Sequence, residues 1–110
     1  MTLPTLHDFI VMGLASTRPR SEYIRHPSFR SLYVRAYGNR ITIANIVAKR
    51  TGKGCWKRLS NWLSIEYPHT EIVVECVHNA RFAAHLLDTG FVQLGESNGG
   101  APSFIKHPTQ

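Results

Sequence analysis

Several things are scarce in this chain, and each shortage closes a possibility. There are only two cysteines, Cys55 and Cys76. They are too few to staple a small fold and match no metal-ligand spacing, so reduced thiols and a reducing compartment are expected. No long hydrophobic run occurs: the longest uncharged apolar stretch runs only from Phe9 to Ala15, against the roughly 20 residues that span a bilayer as a helix. No membrane partner is therefore expected. The amino terminus has no basic segment leading into a long apolar stretch and a small-residue cleavage site, so the cytoplasm is the expected location. Internal repeats and low-complexity tracts are absent, which argues against solenoids and disordered tails.

Acids are scarce where bases are dense. Eleven of the thirteen Lys and Arg residues lie between Arg18 and Arg58, where Glu22 is the only acid, and five of the seven acids lie from Glu66 onward. With a net charge of +6, this asymmetry favours a polyanionic ligand in the first half, either a nucleotide cofactor or a nucleic acid. An ordinary solvated basic face is the alternative. A chain of 110 residues, 43% of them hydrophobic, suits a single domain over 1–110 with one core.

The apolar pattern changes period along the chain. Leu6, Phe9, Ile10, Gly13 and Leu14 fall on one helical stripe, with Thr5 as a cap and Asp8 answering it. From Ser16 to Ser28, with Pro19 and Pro27, the reading is a loop with a turn of helix around Glu22 to Arg25. Phe29–Tyr37 and Ile41–Val47 read as strands joined at Gly38-Asn39. Trp56, Leu59, Trp62, Leu63 and Glu66 return to helical spacing, and Tyr67-Pro68 stops them. Thr70–Val77 reads as a strand buried on both faces. Asn79 caps a helix through Leu86 and Leu87 that ends at Gly90. Phe91–Glu96 and Ser103–Ile105 complete the chain as short strands. The central strand–helix–strand calls for a parallel pair with a right-handed crossover.

Between the second strand and the second helix stands Thr51-Gly52-Lys53-Gly54-Cys55-Trp56. Glycines there let backbone N–H groups approach an anion, and the helix that follows adds about half a positive charge. Downstream, Glu75-Cys76-Val77-His78-Asn79, then Leu86, then Gly90-Phe91 places a strand end before an Asn-capped helix that closes on Gly-Phe. In this order the two segments resemble the acyl-CoA loop and the second conserved region of the GNAT N-acetyltransferase superfamily, and the resemblance covers about residues 29–105. It implies an α/β fold: a mixed, mostly antiparallel sheet with a central splayed parallel strand pair and flanking helices. The first strand of the family is missing, as in an abbreviated member such as a small phage or bacterial one.

The resemblance further implies acetyl-CoA as co-substrate and transfer of its acetyl group to a primary amine of an unknown acceptor by direct attack on the thioester. Its pyrophosphate would lie on the backbone of Thr51, Gly52, Lys53, Gly54, Cys55 and Trp56. Its pantetheine would lie beside Ile46 and Val47, with Asn79 in reach. Two departures bear on activity. Trp56 stands where the loop usually ends in a small residue, and it shares a stripe with Leu59 and Leu63, which reads as core packing. Leu86 stands where many members carry the tyrosine that protonates the leaving thiolate, and His85 is its adjacent substitute.

For the base that takes the amine proton, Glu75 at the end of a central strand is the first candidate and His78 the second. Cys76, His78 and His85 make too thin a set for a metal, so none is expected. The competing reading is a GNAT-fold module without catalysis that binds a host protein or nucleic acid. The interleaving of Tyr23, Phe29, Tyr33 and Tyr37 with arginines makes nucleic acid a candidate partner, and a homodimer through the terminal strand is a further candidate assembly.

Overall fold

Residues with strand alternation and residues with helical spacing sort cleanly in space. The computed structural model describes residues 6–15, 18, 20–49, 54–75, 77, 79–96 and 101–108. The elements follow as α1 (Leu6–Leu14), β1 (Arg20–Tyr23), β2 (Phe29–Tyr37), β3 (Arg40–Ala48), α2 (Cys55–Glu66), β4 (Glu71–Val74), α3 (Ala80–Asp88), β5 (Val92–Glu96) and β6 (Pro102–Lys106). They build a six-stranded sheet in the order β1-β2-β3-β4-β6-β5. β3 and β4 are parallel and every other pairing is antiparallel. This is the mixed sheet with a central parallel pair that the sequence implies. The Thr5 cap, and the place of a strand ahead of α1, lie outside the described residues.

One expectation is overturned. Residues 20–23 form strand β1 rather than a loop with a helical turn near Glu22. Arg20 pairs with Ala36 and Tyr23 with Tyr33 on β2, the Tyr23 and Tyr33 rings meet at 4.8 Å, and Ile24 is buried. The open edge of β2 satisfies the backbone of this segment, and no local periodicity announces such a partner. A smaller difference lies in β4, which ends at Val74 instead of Val77, where its pairing with β3 ends while β6 stays beside it.

The sheet has two unlike faces. Leu32, Val34 and Ala36 of β2, Ile41 and Ile43 of β3, Ile72 and Val74 of β4 and Phe104 of β6 join one buried cluster with Phe9 and Ile10 of α1, Leu59 and Leu63 of α2 and Leu86 of α3. Each such side chain contributes about 1.5–3 kcal/mol on burial. Val73 and Ile105, next along their strands, are buried but stand outside that cluster. The three helices therefore cover one face, and among the described residues strands alone present the other. α1 approaches β2 closely at Gly13, where an added Cβ would sit 2.5 Å from the Ala36 Cβ, so the stripe needs glycine at that point. Gly38 (φ 62) opens the tight β2–β3 turn in a conformation that favours glycine. None of the described helices is long and apolar enough to cross a membrane.

Candidate functional site

The central parallel strands part company, and the place where they do so is defined by hydrogen bonds. Register runs from Arg40–Glu71 to Ile43–Val74, and the Glu75 N–H donates to the Ile43 carbonyl at 2.9 Å. Beyond that bond β3 continues to Ala48 with register partners on β2. The segment after β4 stays with β6, its neighbour since Ile72, and the Val77 N–H donates to the Pro102 carbonyl at 2.9 Å. A wedge thus opens at Glu75.

The cause lies in β3. Asn45 has φ 49, a left-handed conformation that Asn tolerates better than most residues. The register of β2 on β3 shifts between Ser31–Val47 and Tyr33–Ala44, the signature of a bulge, which bends and twists the strand that carries it. The Asn45 Nδ2 donates to the Tyr23 hydroxyl at 3.3 Å, tying the bulge to β1.

Both helices that follow the parting strands start at that end of the sheet, so their positive N-terminal dipoles gather where the strands separate. Gly54 enters α2 at φ 71, and its carbonyl accepts from the Arg58 N–H at 3.0 Å. This left-handed turn brings bare backbone to the helix start. Asn79 caps α3, its Oδ1 accepting from the Phe82 N–H at 3.1 Å. The two first turns touch through Trp56, which is 8% exposed and meets Phe82 at 5.3 Å and Phe91 at 6.1 Å between ring centroids. Its ring faces inward, leaving its backbone as the part available to the loop. Its Nε1 is buried without a hydrogen-bond partner among the described residues.

Of the other anticipated cofactor residues, Ile46 packs against the core and Val47 is 47% exposed, both on β3 beyond the parting. The partly buried Cys55 lies beside Arg58, Sγ to Nη2 3.6 Å. Thr51, Gly52, Lys53, Cys76 and His78 lie outside the described residues. Cys55 and Arg58 also line a cavity of about 350 Å³ between α1, α2 and the β1–β2 turn, together with His26 and Ser28. The Ser28 N–H donates to His26 Nδ1 at 3.0 Å. Burial, with Lys49 as a lesser cause, holds the His26 imidazole below its usual pKa, and both favour the neutral ring that this acceptor role requires.

On the helix-free face, Glu75 lines a second cavity of about 430 Å³ with Arg35, Tyr37, Arg40, Val73 and Leu94 among its walls. Arg35 Nη1 is 3.5 Å from Glu75 Oε1. Arg40 grips Glu71 with Nε and Nη2, both 2.9 Å from the same carboxylate oxygen. His85 sits in the last turn of α3 and lines neither cavity. It is six residues from the Asn79 cap, about 9 Å along the axis. Among the described residues no three His, Cys, Asp or Glu side chains are grouped as a metal ion would need.

The sequence pattern alone does not mark Asn45 or Arg35 as site residues. Asn45 interrupts a β-branched run, which is a legible signal of a bulge. Arg35 alternates with core residues, which assigns it a face but not a partner.

No protein-family model matches the chain, and no curated protein matches it in sequence. Among solved structures, the crystal structure of an acetyltransferase from Thermus thermophilus matches with a TM-score of 0.60 at 15% identity, over 96% of this chain and 77% of that one. The chain shares the fold of that acetyltransferase. The splayed central parallel pair that the sequence resemblance implies is present as β3 and β4, which separate beyond Glu75. At the position of Leu86, which is fully buried in the core, the GNAT resemblance would place a tyrosine.

Proposed function

We propose that the protein is an N-acetyltransferase that uses acetyl-CoA and acts on a primary amine. The observation that carries this reading is the wedge at Glu75, with two helix N-termini gathered at the parted ends of β3 and β4. The residues present fit the donor. The left-handed Gly54 and the start of α2 offer backbone N–H groups and a dipole to a pyrophosphate. The free edge of β3 near Ile46 and Val47 offers main-chain partners to an extended pantetheine arm, and the Asn79 Nδ2 remains a donor while its Oδ1 caps α3.

Acetyl-CoA supplies an activated thioester carbonyl at the vertex. Glu75, facing the helix-free side, accepts the proton of the attacking amine as the new N–C bond forms. The C–S bond breaks, its electron pair goes to sulfur, and the thiolate is protonated from solvent, since Leu86 offers no proton. Positioning supplies most of the rate, and a well-placed base typically adds about 10²–10⁴-fold.

Calorimetry with acetyl-CoA tests the binding half directly: no detectable heat at millimolar donor would sink the enzyme reading and leave the fold as a binding module, which Leu86 favours. For the chemistry, Glu75→Gln is expected to lower kcat by about 10²-fold or more with donor affinity unchanged. A variant that keeps full kcat removes Glu75 from the mechanism.

A further inference from the structure

We infer that the acceptor is a small molecule carrying a carboxylate beside its amine, that is, an amino acid, held in the cavity on the helix-free face. This rests on the N-acetyl transfer proposed above. The cavity, about 430 Å³, falls in the size range of small-ligand sites. Two guanidinium groups, Arg35 and Arg40, and one carboxylate, Glu75, line it beside the apolar Val73 and Leu94. That charge balance disfavours a polyamine.

The two arginines are held differently. Arg40 is anchored to Glu71 by a hydrogen bond of 2.9 Å from Nε and an ion-pair contact of 2.9 Å from Nη2, which orients its fork and leaves its remaining N–H groups for a ligand. Arg35 and Glu75 stand 3.5 Å apart, well beyond the roughly 2.7–2.9 Å of a strong charge-assisted hydrogen bond, and both side chains are partly solvent-exposed. Such a pair opens at little cost.

What can open it productively is restricted. A plain amine that takes Glu75 leaves the Arg35 charge without its partner, and a plain carboxylate that takes Arg35 does the same to Glu75. A molecule with both groups exchanges one loose ion pair for two close ones. It also delivers its amine to the carboxylate at the vertex of the wedge, where the acyl group is to be received. Val73 and Leu94 offer apolar contact to its side chain, and a site with paired polar requirements discriminates strongly against analogues that lack one of them.

The test compares an amino acid with its decarboxylated amine, phenylalanine with phenethylamine and leucine with isopentylamine, by thiol release from acetyl-CoA with mass spectrometry of the product. Spermidine and a lysine-containing peptide serve as the other acceptor classes. The wild-type protein is expected to favour the amino acid in kcat/KM by about tenfold or more, and Arg35→Gln is expected to bring that ratio towards one. Transfer that favours the free amine, spermidine or the peptide, or a ratio that Arg35→Gln leaves intact, overturns the inference and leaves the acetyltransferase reading standing. If no acceptor releases thiol, titration of the isotope-labelled protein with phenylalanine and with phenethylamine still decides it. Shifts of the Arg35 and Glu75 amides with phenylalanine alone support the inference, and their absence, or equal shifts with the amine, overturns it.

Discussion

At the scale of single residues, Trp56 combines a large apolar contribution with one unmet polar demand. Its ring packs against Phe82 and Phe91 while Nε1 is buried without a partner among the described residues, a situation that costs roughly 1–3 kcal/mol for a buried donor. Trp56→Phe keeps the aromatic contact and removes the N–H, and the lost ring volume offsets part of the gain. Its unfolding midpoint in urea is expected within about 1 kcal/mol of wild type or above it. A loss of several kcal/mol would show that the indole N–H has a partner in solution.

His26 offers a test through pH. Its folded pKa lies below the unfolded value, because of burial first and Lys49 second. Its contribution to stability is therefore complete above about pH 6.5 and is lost as the pH falls through the lowered native value. From about pH 7.5 to about pH 5, His26→Asn is expected to lose less stability than the wild type. Equal losses in the two proteins would refute this role.

At the scale of elements, the sheet shows what pattern reading can and cannot reach. Alternation in β2 and β3 and helical spacing in α1, α2 and α3 follow from single segments, because each buries one face against the same core. Strand β1 does not, because its four residues are held by pairing with β2 and carry no apolar period of their own. The bulge at Asn45 is legible only in part: an Asn inside a β-branched run hints at it, yet its effect depends on β4 ending its pairing at the same level. Asn45→Val places a β-branched residue at φ 49, where it is expected to cost about 1–2 kcal/mol, while Asn45→Gly is expected to stay close to wild type. Equal stability of the two variants in chemical denaturation would mean that the bulge does not hold this conformation.

At the scale of the whole molecule, charge and topology act together. The basic first half supplies β1, β2, β3 and the start of α2, so the excess of cations lies in the part of the chain that leads into the wedge. A polyanionic donor bound there stabilises the folded protein by mass action, by about 2.7 kcal/mol at a concentration one hundred times its Kd. Acetyl-CoA is therefore expected to raise the melting temperature, and the rise is expected to shrink as salt screens the exposed cations. An unchanged melting temperature at millimolar acetyl-CoA would speak against the donor site as a whole.

By itself the sequence determined the element types in most of the chain, the parallel crossover, the Asn79 cap, the glycine entry to α2 and the inward place of Trp56. All of these are read from neighbours three or four residues away, or from alternation along one strand. Only the tertiary structure decided that β1 joins the sheet, that β3 and β4 separate at Glu75 and that Arg35 faces Glu75. Periodicity tells a residue which face it occupies, but strand order and the end of a hydrogen-bond ladder choose its partner across that face. The candidate chemistry of this protein lies in such partners.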